Sequence, residues 1–258
     1  MTAICIAGIT GWTGGAIAAG VAAAGDLQLR AGVSRSAAGG EVEGAPVYAR
    51  VGEALDGVDV LIDYTSHDVA RDNALAAIAA GVAVVIGTSG LTAQDFAAID
   101  AAATEARVGA VASGNFSLTA AMMAAGALLA ARHLPHWEVI DYASAAKPDV
   151  PSGTARELAE RLGAVRAPAL GHPIEDLHGP REARGATVAG TQVHSVRVPS
   201  FVVSTEIVFG LPDERLTIRH DAGGSPEPYV AGTLIAARRA PGTVGLTRGL
   251  DTLLLEAG

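Results

Sequence analysis

Apolar residues fall along the chain in two rhythms, and the change from one to the other divides it. From the N-terminus, short, mostly apolar runs at residues 3–7, 27–33, 58–64, 82–86 and 108–112 alternate with stretches of helical period at 15–24, 69–80 and 93–105. Residues 45–48 form a further short strand candidate. Continuous apolar runs of this length belong to strands buried on both faces, and their alternation with helices predicts a doubly wound parallel sheet with its ligand crevice at the strands' carboxyl ends. Residues 117–132 then read as an apolar helix with Ser117 as its N-cap, and beyond Pro135 the rhythm changes. A strand over 137–142, a helix over 152–162 and a Pro/Gly/His-bearing loop over 165–187 precede three runs, 188–197, 201–209 and 215–220, that alternate apolar with polar residues. Such alternation predicts an antiparallel sheet with one face in water. Two helices, 227–239 and 247–256, close the chain.

The turns between these elements carry the chemistry. Gly8, Gly11 and Gly14 stand between the first strand and the first helix in G-x-x-G-x-x-G spacing, with Trp12 and Thr13 inside the turn. This is a variant of the dinucleotide fingerprint, whose glycines let the backbone turn tightly, approach a pyrophosphate and pack helix on strand. Trp12 lies over the dinucleotide or is a packing residue; the sequence leaves both open. The second strand ends at Ser34-Arg35-Ser36 rather than at an acidic residue, a combination suited to a 2′-phosphate, so NADPH is expected in preference to NADH. The polar turns at Thr65, Gly87-Thr88 and Gly114-Asn115 follow strands and point to the same crevice. The fold class expected is α/β: an N-terminal Rossmann-type doubly wound parallel sheet, residues 1–115 and 226–258, binding the dinucleotide. An inserted α+β domain, residues 116–225, serves for substrate binding and oligomerisation.

Composition narrows the field. The chain has 258 residues, half of them hydrophobic, with no apolar run of the roughly 18 residues that a membrane helix requires, so a cytoplasmic protein without a membrane partner is expected. A formal net charge of −9 argues against a nucleic-acid partner. The single cysteine, Cys5, lies in an apolar strand, and the seven histidines show no metal-like spacing, so no metal site is expected. Of the 18 basic residues only Lys147 is lysine. A compact, titratable ammonium is what guanidinium cannot replace in proton transfer. Four residues on, Pro151-Ser152-Gly153-Thr154 reads as a turn opening a helix, a site for a carboxylate. A surface lysine beside an ordinary helix cap is the competing reading.

Several segments together resemble the dihydrodipicolinate reductase (4-hydroxy-tetrahydrodipicolinate reductase) family of lysine biosynthesis, over nearly the whole chain. They are the N-terminal glycine motif, Leu61-Ile62-Asp63-Tyr64-Thr65, the run from Val85 to Thr92, Gly114-Asn115-Phe116-Ser117, Leu216 to His220 and, most specific, Lys147-Pro-Asp-Val-Pro-Ser-Gly-Thr154. The resemblance implies an NAD(P)H-dependent oxidoreductase that transfers hydride to a cyclic imine-type or unsaturated carboxylate substrate, in a homotetramer. Carried over residue by residue, Gly8, Gly11 and Gly14 hold the pyrophosphate, Arg35 the adenosine end, Gly87 and Thr88 the nicotinamide side, and Gly114, Asn115 and Phe116 the ring's surroundings. Ser152, Gly153 and Thr154 bind a substrate carboxylate, and Lys147 donates the proton or stabilises charge.

The chain departs from the family in one telling place. Where the family sets a histidine cluster before its lysine, this sequence has Ala143-Ser144-Ala145-Ala146. A second departure follows His220, where Asp221-Ala-Gly-Gly-Ser-Pro-Glu-Pro replaces a polar and basic run. Tyr142 and His220 are the candidates to replace the lost histidine, while Glu138 and Asp141 have no evident partners in the sequence. Three readings follow: a lysine-pathway reductase relying on Lys147, a reductase of the same architecture acting on a less anionic cyclic imine, and a nucleotide-binding protein without catalysis.

Overall fold

The structure, a computed structural model, describes residues 1–255. The chain divides into two compact units, Met1–Leu118 with the chain from Ser225 onward, and Thr119–Gly224.

The first unit opens with β1 (Thr2–Ala7), α1 (Trp12–Ala23), β2 (Leu27–Val33), β3 (Glu41–Val42), β4 (Ala45–Tyr48), β5 (Val60–Asp63), α2 (His67–Ala79), β6 (Ala83–Ile86), α3 (Ala93–Ala106) and β7 (Gly109–Ala112). Every residue of β5, β6 and β7 is buried, which is why, Asp63 apart, the sequence shows them as apolar runs. α3 starts in a capping box: Thr92 accepts from the Asp95 amide while Asp95 accepts from the Thr92 amide.

The second unit is built on α4 (Leu118–Ala131), β8 (His136–Ala143), α5 (Gly153–Val165), β9 (Ala186–Val188), β10 (Thr191–Arg197), β11 (Val203–Leu211) and β12 (Glu214–Ala222). Its sheet has the order β12-β11-β8-β10-β9. Met123, Ala127 and Ala131 of α4 and Ala155, Leu158, Ala159 and Leu162 of α5 pack with Trp137, Val139, Val193, Ile207 and Phe209 of the sheet into one core. The sheet is mixed, not antiparallel as the alternation suggested, because β10 runs parallel to β8. Alternation reports one exposed face and carries no information on strand direction. The strand expected over 188–197 is in fact a hairpin, β9 turning into β10 through Ala189 and Gly190, both at positive φ. The turn chemistry was hidden because alanine stands where Asn or Gly normally announces such a turn.

The chain then returns to the first unit with α6 (Glu227–Arg239), β13 (Gly245–Arg248) and α7 (Leu250–Leu255). The helix expected over 247–256 is therefore replaced in its first part by a strand that pairs parallel with β7. Gly245 and Gly249, at φ of +79° and +86°, bracket β13 and separate it from the helix. Glu256 lies outside the described residues. The completed first sheet has the order β13-β7-β6-β5-β1-β2-β4-β3, parallel except for the β3–β4 hairpin. Strand order reverses between β1, whose successor β2 lies on one side, and β5 on the other. The loop after β1 thus opens at the switch point, where ligands of such sheets bind.

Candidate active site

The Gly8–Gly14 loop occupies that switch point. Gly8, at φ +81°, donates its amide to the Val33 carbonyl at 2.9 Å, and Gly11 donates to the Gly8 carbonyl at 2.8 Å. A Cβ on Gly14 would lie 2.1 Å from the Gly8 oxygen, and one on Gly8 would lie 2.3 Å from the Tyr64 oxygen. The loop is drawn in so tightly that α1 begins directly beneath it, with Gly11 as an extended N-cap. That close approach is the cradle a pyrophosphate needs. Trp12 is 57% exposed and meets the Tyr229 ring edge-on at 6.2 Å. Beside the loop, Thr10 Oγ1 lies 2.9 Å from Ser34 Oγ, and Ser36 Oγ lies 3.2 Å from Ser34 Oγ. Arg35 is exposed between the two serines. Thr10 is a member of this hydroxyl group that the sequence did not single out; its signal was present, a hydroxyl inside the glycine loop.

Thr65 and Thr88 come together on a residue the sequence reading passed over. Asp63, fully buried at the end of β5, accepts from Thr65 Oγ1 at 2.7 Å, the Thr65 amide at 3.0 Å, Asn73 Nδ2 at 2.8 Å and Thr88 Oγ1 at 2.6 Å. One carboxylate therefore shapes the turns after both β5 and β6. Gly87 is glycine because the Tyr64 ring lies against it, 2.2 Å from where a Cβ would be. Tyr64 in turn bonds Thr233 Oγ1 at 2.8 Å, and burial pushes its phenol well above the usual range. Phe116 is 1% exposed and meets Tyr64 edge-on, so its side chain is core, and the Gly114–Asn115 turn above it is shaped by Ser113 Oγ donating to the Asn115 carbonyl at 2.9 Å. Beneath the loop, burial and then the Asp63 charge push the Cys5 thiol up to about 12, which leaves it inert.

In the second unit the end of β8 turns into the Lys147 segment. Lys147 donates its amide to the Ser144 carbonyl at 2.9 Å, and its Nζ lies 3.0 Å from Asp149 Oδ1. Its side chain is 28% exposed. Ser152, 1% exposed, caps α5 by accepting from the Ala155 amide and donates its hydroxyl to Asp141 Oδ1 at 2.7 Å. Ser152 thus shapes the turn, and Gly153 and Thr154 follow as the first residues of the helix, whose N-terminus favours an anion. Asp141 and Glu138, without evident partners in the sequence, both have them. Asp141 meets Arg197 Nη2 at 2.8 Å, and Glu138 pairs with Arg184 and with His194 Nε2 at 2.7 Å. These partners lie more than 40 residues away along the chain: register with β10 brings in His194 and Arg197, and the turn Arg181–Arg184 brings in Arg184. Among the described residues no group of three His, Cys, Asp or Glu side chains is arranged to hold a metal, and no helix is long and apolar enough to cross a membrane.

Comparison with known proteins decides between the general readings of this arrangement. Residues 2–116 match the family Dihydrodipicolinate reductase, N-terminus, and residues 115–253 match Dihydrodipicolinate reductase, C-terminus. The chain belongs to the dihydrodipicolinate reductase family. It is 35% identical over 262 residues to the 4-hydroxy-tetrahydrodipicolinate reductase of Moorella thermoacetica, covering 97% of each chain. With that of Desulfitobacterium hafniense (strain DSM 10664 / DCB-2) it shares 39% over 199 residues, 76% of this chain and 73% of the relative. Among solved structures it is similar to the dipicolinate-bound dihydrodipicolinate reductase from Paenisporosarcina sp. TG-14, with TM-score 0.78 and 26% identity over 98% of this chain and 99% of that one. GenD2 from gentamicin A biosynthesis, in complex with NAD, shares the fold at TM-score 0.67 and 18% identity over 97% of this chain and 89% of that one. The protein is an NAD(P)H-dependent oxidoreductase of this family.

Against the dihydrodipicolinate reductase pattern, the two candidates for the lost histidine fare differently. Tyr142 alternates with Asp141 along β8 and so faces away from the core, where it donates to Glu206 Oε2 at 3.3 Å beneath the Arg219 guanidinium, 4.9 Å from its ring centre. Burial, followed by the Glu206 charge, raises its phenol, which makes it a poorer acid. His220 faces the core: it is 7% exposed, its Nε2 lies 3.1 Å from Thr119 Oγ1 and its Nδ1 is buried without a partner. Burial holds the imidazole below its usual pKa, with Asp221 opposing in part. The unfolded chain's imidazole protonates near pH 6.5, so below that the unfolded state binds the extra proton first and stability falls with pH until the folded imidazole titrates as well. Urea unfolding of His220→Gln should therefore lose less stability than the parent between about pH 7.5 and about pH 5.5. An equal loss in both proteins would show that His220 contributes nothing to acid sensitivity.

Proposed function

We propose that the protein reduces a cyclic imine-type carboxylate with NADPH, the lysine-pathway reaction for which its relatives are named. The observation that carries this reading is the Lys147–Thr154 turn, in which a lone lysine held on Asp149 stands beside the N-terminus of α5. Residues 1–115 and 226–258 would form the dinucleotide-binding domain and 116–225 the substrate and oligomerisation domain. Gly8, Gly11 and Gly14 would hold the pyrophosphate, with Thr65, Gly87, Thr88, Gly114 and Asn115 at the nicotinamide side. The nicotinamide supplies the hydride. Lys147 supplies the proton that completes reduction, and Gly153 and Thr154 orient a carboxylate from the helix N-terminus.

The preference for NADPH is supported by the Thr10, Ser34 and Ser36 hydroxyls around Arg35, a set suited to a phosphate and lacking a carboxylate to bind a ribose. A homotetramer is supported by the second unit's sheet. Its two helices cover one face, and the other presents Ile140, Tyr142, Val196 and Val208 among ion pairs such as Glu206–Arg219. A cytoplasmic location fits the biosynthetic role.

A second reading, reduction of a less anionic cyclic imine, is favoured by one observation: with Ala143 to Ala146 apolar or neutral and Tyr142 turned to the other face, Lys147 is the sole cation of its turn. NADPH oxidation with freshly generated lysine-pathway substrate tests the choice. A rate within about tenfold of a histidine-bearing relative, a smaller deficit than the roughly 10²–10⁴-fold that general-acid loss costs, upholds the first reading. Binding of NADPH without oxidation leaves the second. In the same assay Arg35→Ala should weaken NADPH by about tenfold and leave NADH unchanged, the size of one charge-assisted phosphate contact.

A further inference from the structure

We infer that Asp141 and Arg197 form a positioning pair that holds the Lys147–Ser152 loop in the shape that binds substrate, and that they thereby set affinity for the carboxylate. The inference rests on the function proposed above. Asp141 lies on the core face of β8 with none of its side chain exposed. It accepts four bonds: from the Ser152 amide at 2.9 Å, Ser152 Oγ at 2.7 Å, Ser195 Oγ at 3.1 Å and Arg197 Nη2 at 2.8 Å. Arg197, on β10 next to β8, uses the same Nη2 to donate to the Asp149 carbonyl at 2.8 Å. Its Nη1 reaches the carbonyls of Asp141 and Val196 at 3.3 and 3.0 Å.

The loop is consequently pinned at two points, at Asp149 by the guanidinium and at Ser152 by the carboxylate. Lys147 hangs between the strand and the first of these pins, its Nζ on the side chain of the residue whose carbonyl Arg197 holds. The backbone ladder already joins β8 to β10, so the sheet does not need this pair to stay together. Two of the four donors on Asp141 come from the Ser152 turn, and one Arg197 bond goes to Asp149: the pair's reach is toward the loop. Asp141 is not available to a ligand, since it is buried and its acceptors are used, and Arg197 Nη2 is committed to Asp141 and Asp149; the pair acts through Lys147 and the start of α5. Preorganisation of this kind acts on binding, because a loop that must be ordered by substrate spends part of the interaction on that ordering.

Replacing both partners by apolar residues of similar size removes the two buried charges together, while an amide at 141 keeps an acceptor for Ser152. The test therefore uses Asp141→Asn and the double variant Asp141→Leu with Arg197→Met, in the full chain. Both should raise KM, and weaken binding of dipicolinate as a probe, by at least about tenfold, with kcat within about threefold of the parent and NADPH affinity unchanged. Hydrogen exchange of the amides from Lys147 to Ala155 should accelerate in the ligand-free protein, while that of β10 stays protected. A folded double variant with parental KM, dipicolinate affinity and loop exchange overturns the inference. So does a loss shared by kcat, KM and the exchange of the whole unit, which marks a merely structural pair. Should the parent neither turn over the substrate nor bind dipicolinate, the proposed function fails by itself, and unchanged loop exchange in the double variant then still overturns the positioning role.

Discussion

Lys147→Ala is expected to lower turnover by roughly 10²–10⁴-fold, the range of general-acid help, while NADPH binds as before. The expectation follows from what surrounds the side chain. Residues 143–146, directly before Lys147, include no histidine, Tyr142 faces the opposite side of the sheet, and His220 is buried with its Nε2 on Thr119. The ammonium on Asp149 is thus the group proposed to donate the proton. Lys147→Arg separates the two roles the residue can have: guanidinium keeps the charge and does not give up its proton, so recovery of rate by arginine would assign Lys147 to electrostatic stabilisation. Steady-state rates and NADPH titration measure both effects. Parental turnover in Lys147→Ala would remove this residue from the mechanism.

Gly14→Ala is expected to cost the protein its dinucleotide affinity and part of its stability together. The new methyl group would stand 2.1 Å from the Gly8 oxygen and 3.2 Å from the Ile9 Cα, both backbone atoms of the same loop. No rotamer change relieves such a contact, so either the loop or the start of α1 must move. Overpacking of this kind costs about 1–3 kcal/mol. The loop that moves is the one proposed to meet the pyrophosphate, so affinity for NADPH should fall by at least about tenfold, the equivalent of about 1.4 kcal/mol. Gly25→Ala provides the control, because a Cβ there meets nothing within 4 Å. Thermal unfolding and cofactor titration distinguish the two variants; equal behaviour would mean that the glycine spacing is incidental.

Much of this architecture could be read from residue order because it depends on local patterns. The runs 3–7, 58–64, 82–86 and 108–112 are mostly apolar because their strands are covered on both faces, and the Gly8–Gly14 turn is spelled by residues that alone tolerate its geometry. β13 escaped notice because four residues that open on Gly245, end at Arg248 and are followed by Gly249 have neither strand length nor period; pairing with β7 makes the strand. The same holds for the direction of β10. Its alternation was visible, and its parallel partner was not.

The candidate site shows the division most clearly. Lys147, Ser152, Gly153 and Thr154 stand within eight residues, and the glycines of the nucleotide loop within seven, so a chain read in order presents them as motifs. Asp63 and Asp141 are single carboxylates at strand ends, and nothing near them in the chain marks them out. Folding buries each and directs several donors to it, from Thr65, Asn73 and Thr88 in one unit and from Ser152, Ser195 and Arg197 in the other. The sequence by itself determined the turns proposed to bear the chemistry, because turn geometry and anion binding are properties of a few consecutive residues. Which buried groups hold those turns in place was decided by tertiary structure alone, because a buried carboxylate is tolerated only where distant strands bring donors to it.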